Sequence, residues 1–183
     1  MPSSPSKHLD HELLCDVFIS HQGTDTKRTA AGLLYDRFKL LQLHPFFDSK
    51  SMKPGDKLFD KIGAAIVGCK VGVLIFSPNY CSSYFCLHEL ALLMECNKKV
   101  IPIYWDVNAS DLKVVDNGNY TAEELKRFRW AVEEAKQFVA LTFDSRSGDW
   151  SEFLTSTNDI VVRSLIELEE EEGERCYNTL SVW

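Results

Sequence analysis

Glu89 stands where a carboxylate is out of place. In the run Tyr84-Phe85-Cys86-Leu87-His88-Glu89-Leu90-Ala91-Leu92-Leu93, the residues three and four positions away on either side are Phe85, Cys86, Leu92 and Leu93. On a helix the acid therefore shares its face with an apolar stripe. No Lys or Arg lies at helical spacing from it, whereas Glu95 has Lys98 and Lys99 three and four residues on and reads as an ordinary surface ion pair. Spacing alone leaves two readings of Glu89 open. It is either a carboxylate that caps a loop amide or pairs with a distant Arg, or a partly desolvated carboxylate facing a cleft, where such groups serve chemistry.

The other chemically suggestive residues are weaker signals. Gly23 would let backbone approach a ligand, but a lone glycine says little. There is no G-x-G-x-x-G and no G-x-x-x-x-G-K-[ST], which disfavours a dinucleotide oxidoreductase and a P-loop NTPase. Six cysteines (Cys15, Cys69, Cys81, Cys86, Cys96, Cys176) form no C-x-x-C pair and read as reduced thiols, mostly buried as small hydrophobes. Cys86 and His88 are two apart on a helical pattern and diverge, which disfavours a shared zinc, and no metal site is expected.

The elements that must position Glu89 alternate along the chain. Cys15 to Ser20 is a short apolar run read as a first strand; Thr26 to Leu41 has helical period. Pro45-Phe46-Phe47 reads as a second strand, then a loop from Asp48 to Gly55 closes on a Pro54-Gly55 turn. Leu58, Ile62, Ala65 and Cys69 form the inner stripe of a helix, and Val71 to Phe76 has the continuous apolar pattern of a strand covered on both faces. The loop Ser77 to Ser83 leads into a helix from Tyr84 to about Asn97, with Ser82 or Ser83 as N-cap. Val100 to Trp105 is a fourth strand, whose Pro102 needs a bulge or an unpaired backbone position. Leu125, Phe128, Val132, Ala135 and Phe138 trace another helix, Val139 to Phe143 a weak fifth strand, and Phe153 to Leu168 a closing helix.

This alternation predicts an α/β fold: a flavodoxin-like, doubly wound parallel sheet of about five strands in the order 2-1-3-4-5, with helices on both faces. Ligands in such sheets gather where the winding reverses, at the carboxyl ends of strands one and three. Those ends are the loops His21 to Lys27 and Ser77 to Ser83. A phospho-receiver would need a carboxylate cluster at the end of strand one; the residues there are Ser20-His21-Gln22, so that option is set aside.

The chain has 183 residues, enough for one domain that needs no disulfide or metal staple. Twenty Lys and Arg against twenty-seven Asp and Glu give a net charge of −7, which argues against a dedicated nucleic-acid or anionic-membrane binder. Residues 1–12 read as a disordered lead-in without the apolar core of a signal peptide, and no apolar run is long enough to span a bilayer. A cytoplasmic protein with no membrane partner is the expectation. The folded domain is placed at 13–168 and an acidic tail, a solvated helix end or frayed segment, at 169–183.

Four motifs in order then show a resemblance. Asp16-Val17-Phe18-Ile19-Ser20-His21-Gln22-Gly23-Thr24-Asp25-Thr26-Lys27 resembles the opening box of plant Toll/interleukin-receptor (TIR) domains. Phe47-Asp48 with Met52-Lys53-Pro54-Gly55 is similar to their second strand and BB loop. Tyr84 to Leu90 is similar to their W-C-L-x-E-L helix, and Val100 to Asp106 with Ser110-Asp111-Leu112 to their fourth-strand box. The resemblance covers about Leu13 to Leu168, and with no nucleotide-binding or leucine-rich-repeat segment in the chain it looks like a TIR-only protein.

The resemblance implies cleavage of the nicotinamide–ribose bond of NAD⁺, with ADP-ribose or cyclic ADP-ribose as signals in plant immunity and cell death. NAD⁺ is then substrate, with no cofactor required. It places Glu89 at the catalytic glutamate position and Phe85, in place of Trp, on the wall of the nicotinamide pocket. Cys86 falls at a cysteine tied in related plant domains to a nucleic-acid-dependent synthesis, for which Lys50, Lys53 and Lys57 form a local basic cluster. His21, Gln22, Gly23, Asp48 and Ser77 map to the border of the NAD⁺ cleft. The resemblance further implies homo-oligomers through TIR–TIR contacts. Three departures stand out: Gln22 replaces the usual Arg, Gly32-Leu33 replaces a Ser-His pair on the first helix, and Pro54 replaces an Arg of the BB loop. The competing readings are a non-catalytic TIR adaptor, for which Glu89 is dispensable, and a small cofactor carrier, which would purify with a chromophore.

Overall fold

The computed structural model describes residues 14–47, 51 and 54–180. Five parallel strands form one sheet in the order β2-β1-β3-β4-β5. They are β1 (Val17–His21), β2 (Pro45–Phe46), β3 (Val71–Phe76), β4 (Lys99–Trp105) and β5 (Leu141–Phe143). The helices are α1 (Gly23–Thr26), α2 (Ala30–Leu40), α3 (Leu58–Gly68), α4 (Tyr84–Glu95), α5 (Ala122–Ala135) and α6 (Trp150–Leu180), with short 3₁₀ turns at Tyr80–Ser82 and Ala109–Asp111.

The two faces of the sheet follow from the strand period of two. Val17 and Ile19 of β1, Val71, Val73 and Ile75 of β3, and Ile101 and Ile103 of β4 pack with Leu34 and Phe38 of α2 and Phe153, Val161 and Leu165 of α6. Phe18, Leu74, Phe76 and Val100 face the other way, against Ile62, Ala65 and Ile66 of α3, Leu87, Leu90 and Leu93 of α4, and Phe128 and Val132 of α5. Every residue of β1 and β3 is buried, as strands covered on both faces must be. Pro102 is opposite Leu74, one residue before β5 begins to pair at Ile103, so part of the strand beside it needs no ladder donor.

Several boundaries differ from the sequence expectation for identifiable reasons. The helix expected from Thr26 to Leu41 is interrupted: Thr26 Oγ1 donates to Gln22 O and Thr29 Oγ1 to Thr26 O, local bonds that compete with the helical ladder, and α2 starts only at Ala30. Leu58, expected on the inner stripe of α3, overhangs the core at the first turn and is partly exposed. Phe138 lies past the end of α5, and β5 is three residues long, with Val139 fully in solvent. The acidic run does not end the last helix: α6 continues to Leu180, although nothing described after Leu168 packs on the sheet.

Gly32 has a specific steric reason. A Cβ there would sit 2.8 Å from the Lys27 carbonyl oxygen, backbone that the interrupted helix brings close. Introducing a side chain here, as Gly32→Ser, is expected to destabilise the fold by about 1–3 kcal/mol, read as a lower urea midpoint with an unchanged m-value. An unchanged midpoint would mean that the Lys27 turn adjusts freely.

Candidate functional site

Glu89 lies mid-way along α4, whose N-terminus is capped by Ser83 Oγ accepting from Cys86 N at 3.3 Å. The helix packs on the sheet face that carries Phe18, and the strand alternation puts Ser20 on that same face near the carboxyl end of β1. The two side chains meet: Ser20 Oγ donates to Glu89 Oε2 at 2.7 Å, with Ser20 fully buried and Glu89 8% exposed. Tyr80, in the 3₁₀ turn after β3, completes the group with its hydroxyl 2.7 Å from Ser20 Oγ and 3.2 Å from the Cys86 carbonyl oxygen. Burial first, then the neighbouring Cys86 and Glu89, pushes the Tyr80 phenol well above its usual range, so it stays protonated. The carboxylate is thus sheltered at the ends of strands one and three, the place that topology alone nominated.

Asp25 locks together the loops that follow β1 and β3. Its carboxylate accepts from Ser77 Oγ at 2.6 Å, from Asn79 N at 2.9 Å and from Asn79 Nδ2 at 2.8 Å. Partial burial works against ionisation here, but the bonds from Asn79 and Ser77 outweigh it and hold the carboxyl below the ordinary range. Ser77, expected at the cleft border, is buried at this lock. Gln22 caps α1, its side-chain oxygen accepting from Thr24 N at 3.4 Å, and the space where a Gly23 side chain would stand is open.

The remaining candidates take different places. Cys86 is buried, its thiol donating to the His21 carbonyl at 3.4 Å, which ties α4 to the end of β1. The His21 ring follows the β1 alternation to the α2 side of the sheet, where it meets the Phe47 ring edge-on at 4.5 Å and Thr26 Oγ1 at 3.3 Å. Phe85, one turn before Glu89, is 44% exposed and stacks on the 49% exposed Phe59 of α3 at 5.6 Å, an aromatic wall at the outer end of α4. Asp48 lies outside the described residues, as do Lys50 and Lys53; Lys57 is exposed.

Ser20, Tyr80 and Asp25 are the functional candidates that the sequence reading did not single out. A serine near the end of an otherwise apolar five-residue strand is a signal that was there to be weighed. Glu95 also pairs otherwise than expected. Arg127 of α5 donates Nε to Glu95 Oε1 at 2.6 Å and Nη2 to Oε2 at 2.8 Å, with Nη1 3.1 Å from His88 Nδ1. Burial and then the Arg127 charge keep the His88 imidazole below its usual range.

A separate cleft of about 690 Å³ opens at the carboxyl ends of β4 and β5, lined among others by Tyr104, Asp106, Phe143, Asp144 and Arg146. Its carboxylates are engaged in hydrogen bonds: Asp106 accepts from Ser145 N and Oγ, and Asp144 from Arg146 N and Ser147 N. The chemistry favours the Glu89 site, where a carboxylate stands sheltered beside the Ser20 and Tyr80 hydroxyl groups. Among the described residues, no cluster of three or more His, Cys, Asp or Glu could hold a metal ion, and no helix is long and apolar enough to cross a membrane.

Comparison with known proteins agrees with this geometry. The chain is 47% identical over 158 residues to the "Probable 2' cyclic ADP-D-ribose synthase BdTIR" of Brachypodium distachyon, an alignment covering 84% of this chain and 70% of that protein. It is 34% identical over 102 residues to the "TMV resistance protein N" of Nicotiana glutinosa, covering 54% of this chain and 9% of that much longer protein. Among solved structures, the TIR domains of the activated Roq1 resistosome superpose with a TM-score of 0.71 at 27% identity, over 80% of this chain and 99% of that one. The model of the TIR domain family matches residues 15–174, nearly the whole described fold. With that match and the strand order in agreement, the chain belongs to the TIR domain family.

Proposed function

We propose that this chain is an NAD⁺ nucleosidase with ADP-ribosyl cyclase activity, acting in plant immune and cell-death signalling, and that Glu89 is its catalytic carboxylate. One observation carries the reading: a buried, hydroxyl-supported glutamate at the carboxyl ends of β1 and β3, in a chain 47% identical to a protein named as a probable cyclic ADP-ribose synthase.

The chemistry suits a single carboxylate. Ordinary glycosidases need a second, acidic group because their leaving group must be protonated. In NAD⁺ the C1′–N bond breaks with its electron pair moving onto a pyridinium nitrogen, so nicotinamide leaves neutral without an acid. The remaining demand is the positive charge that develops on the ribose. A fixed carboxylate in a crevice of low polarity meets that demand electrostatically. Water adding at C1′ gives ADP-ribose and one proton; a hydroxyl of the same molecule adding there gives a cyclic product and the same proton. Phe85, with Phe59 behind it, supplies a flat apolar surface for the nicotinamide ring. Gln22 and Gly23 border the rest of the substrate, a place that the family resemblance also implies for Asp48, while Ser77 acts behind them by holding Asp25. Cys86 and the backbone of His21 form the back of the site, the thiol donating to the His21 carbonyl oxygen.

The active form is a homo-oligomer in the cytoplasm, in which a neighbouring copy covers the open side of the crevice. Incubating the purified chain with NAD⁺ and separating the products by chromatography tests the reading. Nicotinamide should appear together with linear or cyclic ADP-ribose, at a specific rate that rises with protein concentration. Self-association without any nicotinamide release would favour the adaptor reading, and full activity in a strict monomer would remove the role of the neighbouring copy.

A further inference from the structure

Counting hydrogens around Glu89 gives the direction of the bonds that hold it. Ser20 has one hydroxyl hydrogen and Glu89 Oε2, at 2.7 Å, can accept it. Ser20 Oγ is therefore an acceptor toward Tyr80, whose hydroxyl is also 2.7 Å away. Tyr80 has one hydrogen to give, and among the described residues only the more distant Cys86 carbonyl, at 3.2 Å, competes with Ser20 for it. The two oxygens at 2.7 Å need a hydrogen between them, so the chain runs Tyr80 O–H to Ser20 O–H to Glu89 carboxylate.

We propose that Ser20, backed by Tyr80, is a positioning residue that fixes one oxygen of the Glu89 carboxylate and stabilises its ionised form, so that the charge stands ready where the ribose cation develops. The proposal rests on the reading of Glu89 as the catalytic carboxylate. Both hydroxyl groups belong to rigid parts of the fold. Ser20 is held by pairing of β1 with β3, where it lies opposite Leu74, and the fully buried Tyr80 ring meets Phe76 edge-on at 4.9 Å. The oxygen that accepts from Ser20 is therefore placed by the sheet, while the backbone of α4 places the rest of the side chain. A glutamate has three side-chain torsions to fix, and a misplacement of about 1 Å at a reacting centre is expensive in rate. The relay also offsets part of the cost of burying a charge, because hydrogen bonds donated to a carboxylate favour its ionised form. Among the described residues, the other titratable groups nearby include His21 at the end of β1, Cys81 beside Tyr80, Cys86 and His88 on α4, and, beyond His88, Arg127 and Glu124 of α5. None of these is altered by the substitutions below.

The test combines Ser20→Ala, Tyr80→Phe and Glu89→Gln. Ser20→Ala should lower kcat for nicotinamide release by about tenfold or more, the usual worth of a hydrogen bond to a charged group, with little change in KM. The acid limb of its pH–rate profile should move to higher pH, because the carboxylate has lost a donor. Tyr80→Phe keeps the ring and should show a smaller effect of the same sign. Ser20→Cys, close in size and a weak donor, should fall between wild type and Ser20→Ala, and serves if the alanine variant folds poorly. Titration of the Glu89 side-chain carboxyl by ¹³C NMR gives a readout independent of turnover: its midpoint should rise in Ser20→Ala. If Glu89→Gln is inactive while Ser20→Ala keeps the wild-type kcat, pH profile and NMR midpoint, the relay is overturned and the catalytic assignment survives. If Glu89→Gln retains activity, the catalytic assignment itself has failed.

Discussion

Replacing Glu89 by glutamine is expected to reduce nicotinamide release from NAD⁺ by about a thousandfold or more while leaving the fold intact. The magnitude follows from what is removed. Loss of one neutral donor from a preorganised oxyanion site typically costs a factor of about 10²–10³ in rate, and here a full charge is removed from beside a developing cation. Glutamine has the same shape, and its carbonyl oxygen can still accept from Ser20, so no buried hydroxyl is orphaned and the packing against α3 and β1 is kept. The loss should appear in kcat with little change in KM, since the charge matters most when the ribose is cationic. Rate assays beside circular dichroism and a melting curve check it. A variant that folds and turns over within a few-fold of wild type would remove Glu89 from the mechanism.

Substituting Asp25 by alanine should have a large effect on stability. It deletes an acceptor that holds Ser77 and Asn79, and leaves the Ser77 hydroxyl, only 1% exposed, without the bond that joins the two loops. Hydrogen bonds to a charged group are worth roughly 1.5–3 kcal/mol each when buried. Because Asp25 is itself partly exposed, a total of about 2–3 kcal/mol is the expected loss at neutral pH. The pH dependence has a definite sign. The hydrogen bonds from Asn79 and Ser77 overcome the opposing effect of burial and lower the folded-state value of the carboxyl below 3.8. Its contribution is therefore fully present above that unfolded value and disappears as pH falls through the lower folded one. Urea unfolding of wild type and Asp25→Ala at pH 7 and near pH 3 should show the gap between them narrowing in acid. A gap that is constant across that range would mean that the carboxylate charge contributes nothing to the lock.

The sheet order and the location of the crevice were legible in the sequence because they depend on local periodicity and on a winding rule that needs no side-chain detail. Val71 to Phe76 has the continuous apolar, β-rich pattern of a doubly covered strand, and Glu89 is conspicuous against Phe85, Cys86, Leu92 and Leu93. What supports Glu89 was not legible. Ser20 lies 69 residues away and Tyr80 60 residues from Ser20, and their meeting depends on how far α4 slides along the sheet. Asp25 likewise reaches Ser77 across 52 residues. The pairing of Glu95 with Arg127 shows the same limit: the lysines at helical spacing were the natural partners, but Lys98 turns to the carbonyls of Val67 and Cys69, and a guanidinium from α5 takes their place. Side-chain direction at strand ends is also easily misjudged. His21 is one residue from Ser20, yet the alternation sends its ring to the opposite side of β1 from Glu89. The length of α6 escaped for a different reason: its last three turns bury nothing on the sheet, so no apolar stripe marks them.

A crystal structure of the Glu89→Gln variant soaked with NAD⁺ tests the central claim most directly, because the inactive site would hold uncleaved substrate. The nicotinamide ribose should lie with its hydroxyl groups within hydrogen-bonding distance of the side chain at position 89, and the nicotinamide ring against Phe85. A dinucleotide bound with its scissile ribose away from that side chain, at the cleft beside Tyr104 and Phe143 for example, would contradict the assignment.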